Sequence, residues 1–170
     1  MKNTCTILLI VIFCCSCNKN TKITAADISV VFQYEKSINV DFKNNTIEVL
    51  YRGLKYKDTF NLTRQDSIKL SGSITKNRII ELEGNYSYPQ CAWLMPSLED
   101  KIEIYKGGKI LNTIKINYQP NCTDSKKTIE LENKNKTFGN DIRNLLLNKS
   151  AFKRALDTLK EFRERKKGLF

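Results

Sequence analysis

Apolar residues in this chain return at every second position, a spacing that fits a strand with one buried face and not a helix. Ile28, Val30, Phe32 and Tyr34 share one face of a first candidate strand, and Ile38, Val40 and Phe42 share one face of a second. Asn44-Asn45 tolerates positive φ, and beyond it Ile47, Val49 and Tyr51 alternate with Thr46, Glu48 and Leu50, which predicts a hairpin. Phe60 and Leu62, Ile68 and Leu70, and Ile80 and Leu82 continue the alternation, with Ser71-Gly72-Ser73 read as a turn between strands. A second hairpin is written around Lys106-Gly107-Gly108-Lys109: Ile102 and Ile104 precede it, and Ile110, Ile114, Ile116 and Tyr118 follow. Gly-Gly permits the primed turn whose twist matches its flanking strands. Ile129 and Leu131, with Glu130 and Glu132 between them, read as a last strand.

After Lys136 the period changes. Phe138, Ile142, Leu145 and Leu146 fit a helical stripe starting near Asn140 or Asp141, and Ser150 is placed to cap a second helix carrying Phe152, Ala155, Leu156, Leu159 and Phe162. The expected fold is therefore mainly β, an antiparallel sandwich or barrel-like domain over 27–136, followed by two C-terminal helices over 137–170 packed on it. The chain has 170 residues, the size of a single domain, and carries no internal repeat and no Pro-rich or low-complexity linker.

The first residues belong to a different layer of information. Lys2 supplies a positive start, Ile7 to Phe13 a short apolar run, and Cys14-Cys15-Ser16-Cys17 a small residue before a cysteine. The run is well short of the roughly 20 apolar residues that cross a bilayer. This stretch resembles the lipobox of bacterial lipoproteins. The resemblance implies a signal peptide over 1–16, cleavage before Cys17, and diacylation of Cys17, with 17–26 as the anchored linker. Where the family usually has Leu, three places before the cysteine, this chain has Cys14, itself a second candidate. In lipoproteins of the kind this stretch resembles, an acidic stretch after the cysteine often marks export to the cell surface; the polar residues after Cys17 include no acid, so the resemblance implies an anchor in the cell envelope, in the outer membrane facing the periplasm. Two or more acyl chains, at about 0.8 kcal/mol per buried CH₂, anchor stably without a transmembrane helix.

Of the six cysteines, Cys5, Cys14, Cys15 and Cys17 fall in or beside this signal, and only Cys91 and Cys122 remain in the body. Two cysteines in an exported chain point to a disulfide, since the compartment is oxidising. A redox pair would favour Cys-X-X-Cys spacing, and a zinc site would need further ligands from a chain that contains no histidine. No metal or cofactor is expected.

The formal net charge is +11, and loss of residues 1–16 removes only Lys2 from the basic total. Arg163, Arg165, Lys166 and Lys167 form the one local concentration. A run of this kind commonly ends a solvated helix, where cations complement the helix dipole. Its functional reading is contact with anionic lipid headgroups. Nucleic acid is excluded as a partner by the export signal and by the absence of any basic-aromatic repeat, zinc-finger spacing or recognition-helix motif.

Without histidine the Ser-His and Cys-His arrangements are unavailable, and neither a Gly-x-Ser-x-Gly elbow nor a phosphate-cradling loop is present. Glu99 with Asp100, and Glu130 with Glu132, read as solvated surface charge. No catalytic residue is assigned.

The most distinctive patch runs from Tyr86 to Pro96, with Tyr86, Tyr88, Trp93 and Met95 as candidate partner-binding residues around Cys91. A Cys91–Cys122 bridge would preorganise it and lower the entropy cost of binding. The function these features point to is a non-catalytic binding or assembly module with an envelope protein as partner. The rival readings are an immunity or inhibitor lipoprotein acting on a secreted toxin or hydrolase, and a carboxylate-dependent envelope hydrolase.

Overall fold

The computed structural model describes residues 28–87, 99–118 and 125–167. The lipobox with Cys17, and Tyr88, Cys91, Trp93, Met95 and Cys122, lie outside these described residues.

Four antiparallel strands come first: β1 (Ile28–Tyr34), β2 (Ile38–Asp41), β3 (Thr46–Tyr51) and β4 (Leu54–Thr59). Helix α1 (Arg64–Lys76) and a 3₁₀ turn (Ile79–Glu81) lead to the short β5 (Gly84–Tyr86). The hairpin of β6 (Glu99–Lys106) and β7 (Lys109–Asn117) precedes helices α2 (Lys126–Leu147) and α3 (Ser150–Lys167). The strands form one sheet in the order β4-β3-β2-β1-β6-β7-β5, antiparallel throughout except where β5 runs parallel to β7.

The expected β domain with two C-terminal helices is thus what forms, but among the described residues its strands make one sheet that does not close, and a sandwich or barrel is not what they form. The reason is the third helix. Val30, Phe32, Val40, Val49, Ile102 and Ile114 put one face of the sheet fully into the core, and α1, α2 and α3 cover that face in place of a second sheet. The opposite face carries Gln33, Asn39, Glu48, Lys101 and Lys115. At the β4 edge, Lys55 and Lys57 point charge along an otherwise open row of backbone groups, a common guard against edge-to-edge pairing.

Both expected hairpins are present. Asn45 takes φ 54° between β2 and β3, and Gly107 and Gly108 take φ 56° and 79° between β6 and β7, with Lys106 opposite Lys109. The strands expected from Ile68 to Leu70 and from Ile129 to Leu131 are instead helical. Thr63 caps α1 reciprocally: its Oγ1 accepts from Asp66 N at 3.2 Å while Asp66 Oδ2 accepts from Thr63 N at 2.9 Å. Ser71-Gly72-Ser73 lies inside this helix, and the buried Ser73 donates to Asp141 of α2 at 2.5 Å, so tertiary contact outweighs local turn preference. The helical part begins at Lys126, capped by Ser125, and not at 137.

Close approach of α2 to the sheet requires Gly139. A Cβ there would collide with Ile116 Cδ1 and sit 3.2 Å from the Tyr118 hydroxyl. Asn112, on the inner face of β7 and almost fully buried, donates to the carbonyls of Ile79 (2.9 Å) and Leu82 (2.8 Å) and so ties the 3₁₀ turn to the sheet.

Candidate functional site

Strand pairing gives the sheet two distinct ends. Ile28 lies opposite Lys106, so the chain enters beside the Gly107-Gly108 turn. Six steps along β1, about 20 Å at a strand's rise, Tyr34 lies at the other end, level with the start of β6. Tyr86 ends β5 opposite Ile114, and Glu99 begins β6 opposite Asn117. The chain therefore leaves for 88–98 and for 119–124, the segments that hold Cys91 and Cys122, from this second end in both cases.

A buried ionic cluster floors that end. Tyr34, Asp100 and Tyr118 share the inner face with the core residues of β1, β6 and β7, and α2 brings Arg143 over them. Asp100, with no exposed surface, accepts from Glu35 N at 3.1 Å through Oδ1. Its Oδ2 accepts from the Tyr118 hydroxyl at 3.2 Å and from Arg143 Nε at 2.6 Å. The guanidinium carbon lies 4.1 Å from the ring centroid of Tyr118 and 4.9 Å from that of Tyr34, so the cation is held between two aromatic rings. Arg163 of α3 adds an ion pair to Glu35 in the β1–β2 turn at 2.9 Å.

Each titration shift follows from this packing. Burial, then the neighbouring Glu35 carboxylate, pushes the Tyr34 hydroxyl up to about 12. Burial and the negative charge of Asp100 raise Tyr118 as well. Burial works against the Arg143 charge, but its hydrogen bond and attraction to Asp100 outweigh this and raise it above its usual value. Both tyrosines consequently stay protonated donors and the arginine stays charged. With three donors on one carboxylate and a cation between two rings, the cluster behaves as a clamp that fixes β1, β6, β7 and α2 where the two segments depart.

Asp100 and Glu132 are corrections to the sequence reading. Neither is solvated: Asp100 is fully buried and Glu132 is 2% exposed. Glu132 pairs with Lys136 at 2.8 Å through Oε1, and its Oε2 has no hydrogen-bond partner among the described residues. Glu99 is half-buried, and Glu130 is exposed and bonded to Lys134 at 2.7 Å.

Of the expected partner-binding residues, Tyr86 alone is described; it packs half-buried against the core edge and its hydroxyl donates to Glu83 O at 3.1 Å. Of the expected membrane-surface residues, Arg163 pairs with Glu35, Arg165 lies 3.7 Å from Glu161, and Lys166 is half-buried; the Lys167 side chain is outside the described residues. Sequence reasoning missed the whole Tyr34–Asp100–Tyr118–Arg143 cluster.

Two pockets flank α1. One of about 340 Å³ lies between it and α2, around Leu70, Ser73, Lys76, Asp141, Asn144 and Leu145. A larger one of about 400 Å³ lies at the Ile28 end, floored by Val30, Phe42 and Ile74. Among the described residues no group of His, Cys, Asp or Glu is arranged to hold a metal ion, and no helix is long and apolar enough to cross a membrane. No protein-family model, curated protein or solved structure matches this chain.

Proposed function

We propose that this protein is a lipid-anchored envelope lipoprotein whose domain is a non-catalytic binding or assembly module, acylated at Cys17 and contacting an envelope protein through Tyr86, Tyr88, Trp93 and Met95. The observation that carries this reading is the polarity of the sheet. The tether enters at Ile28, whereas the segments bearing the aromatic patch depart from the far end, above the Asp100–Arg143 clamp. A domain tethered at one end and held rigid at the other presents that far end outward. The common origin of 88–98 and 119–124 also supports a Cys91–Cys122 disulfide, which closes a loop of the length for which about 3–4 kcal/mol is expected.

The same polarity bears on the basic run. Arg163 is held by Glu35 at the end away from Ile28, which supports a partner-facing role for it over contact with the anchoring membrane.

The test is a crosslinking pull-down from envelope extract with the full chain, at low and high salt, against Trp93→Ala. A partner retained at high salt and lost with Trp93→Ala, with circular dichroism unchanged, is the expected result. Capture that survives Trp93→Ala, or that disappears with salt in both chains, overturns the assignment. Labelling with radioactive palmitate, expected to vanish in Cys17→Ser and persist in Cys14→Ser, tests the anchor separately.

A further inference from the structure

The larger pocket has the make-up of a ligand site, and it lies at the Ile28 end of the sheet. Its volume, about 400 Å³, falls within the roughly 300–1,000 Å³ of small-molecule sites. Val30, Phe42 and Ile74 form an apolar floor and Leu62, Leu70 and Ile80 the walls, which suits a hydrocarbon ligand body. The polar side chains of the lining are Ser29, Ser67, Ser71, Thr75 and Lys43. Ser67 and Thr75 of α1 already donate to their own helix, to Thr63 O at 3.2 Å and Ser71 O at 3.0 Å.

Charge at the pocket has one sign. Among the described residues Lys43 is the only ionisable one in the lining, and its ammonium makes no ion pair with any of them. The nearest carboxylate in sequence, Asp41, accepts from Lys43 N at 2.8 Å, Asn44 N at 3.0 Å and Asn44 Nδ2 at 2.6 Å, all within its own turn, and makes no ion pair with Lys43. Lys106 and Lys109, both exposed, flank the Gly107-Gly108 turn that completes the lining. From this arrangement we infer that the pocket binds a single-chain amphiphile of the fatty-carboxylate class, its tail between α1 and the inner face of β1 and its carboxylate at Lys43. This inference stands apart from the anchoring reading, since nothing in it requires Cys17.

The probe is a palmitate analogue carrying a diazirine and an alkyne. It is mixed with freshly broken cells producing the full chain, in buffer without ATP or coenzyme A, irradiated, and its attachment sites mapped by peptide mass spectrometry. Label is expected on peptides containing Phe42, Leu70 and Ile74, displaced by unlabelled palmitate and much less by the uncharged alcohol of the same chain length. Ser71→Trp, which fills the pocket, should abolish it. Lys43→Glu, an exposed turn substitution that leaves the core alone, should weaken the half-saturation concentration by about tenfold. Label that falls elsewhere, persists in Ser71→Trp or ignores Lys43→Glu overturns the inference. So does equal displacement by the alcohol, because the carboxylate would then go unread.

Discussion

Arg143 donates its Nε–H to Oδ2 of Asp100 at 2.6 Å, and the carboxylate it meets has no exposed surface. Two charges so placed recover their desolvation only through each other and through the remaining donors on Asp100. Removing one partner strands the other. Arg143→Met should therefore lower stability by about 3–5 kcal/mol in urea unfolding, while Arg143→Met combined with Asp100→Asn should cost markedly less than the single change. A double variant as unstable as the sum of its parts would show that the two residues act separately.

Acid should weaken the contact between α1 and the α2–α3 junction. Asp66 accepts from Lys149 Nζ at 2.5 Å and from Thr63, and these hydrogen bonds, with Lys149 foremost, lower its carboxyl from 3.8 to about 2. A depressed carboxyl stabilises the fold above its unfolded value, and the contribution is lost as pH falls towards the folded one. Stability should accordingly decline between about pH 4 and pH 2, and Asp66→Asn should flatten that limb relative to the unaltered chain when unfolding is followed across pH.

The β1–β2 turn holds two ordinary residues in the left-handed region, Glu35 at φ 46° and Lys36 at φ 58°. Glu35 is committed to Arg163, whereas the Lys36 side chain makes no ion pair among the described residues. Lys36→Gly should relieve the steric cost at that position and raise stability by about 0.5–1 kcal/mol, after the larger chain entropy of glycine is counted. A lower thermal midpoint for Lys36→Gly would contradict the argument.

How far the fold could be read from sequence depends on which residues occupy the buried positions. In β1, β2, β3, β6 and β7 those positions are nearly all apolar, so the period of two and the Asn and Gly-Gly turns announce themselves. In α2 the buried stripe starts with Glu132 and Asn135 before Phe138 and Ile142, and these two polar members hide the helical period that Ile129 and Leu131 break. In α1 the helix is held by its Thr63–Asp66 cap and by Ser73, while Ile68 is 61% exposed, so hydrophobicity marks the wrong positions. Asp100 was legible in principle, because it continues the inner-face parity of Ile102 and Ile104. Its partner Arg143 was not, since no local pattern tells which cation a buried acid will meet across the fold.

Two helical glycines should respond oppositely to the same change. At Gly72, a Cβ would meet nothing within 4 Å, so Gly72→Ala should gain the helix propensity of about 0.5–1 kcal/mol. Gly139→Ala carries the same intrinsic gain, but its methyl would run into Cδ1 of Ile116, a side chain that is itself 1% exposed in the core. The overpacking cost of about 1–3 kcal/mol should exceed the gain and leave Gly139→Ala the less stable protein. Parallel thermal melts of the two variants decide the point, and equal stabilisation of both would mean that α2 rides higher above β7 than this packing requires.

The two rings around Arg143 make the clamp visible in solution. Tyr34 is raised to about 12, chiefly by burial, and Tyr118 is raised by burial and by Asp100. A phenol raised above its unfolded value of 10.0 contributes stability that is complete below that value and is lost as pH rises through the folded one. Ultraviolet titration at tyrosinate wavelengths should thus show a late phase beyond the ordinary tyrosines, coupled to unfolding between about pH 10 and 12. Tyr34→Phe should remove part of that phase and Tyr118→Phe another part, each leaving the early phase intact. A single phase near pH 10 in the unaltered chain would mean that the two hydroxyls are not buried beside Glu35 and Asp100 as described, and the rigid floor beneath the two departing segments would go with it.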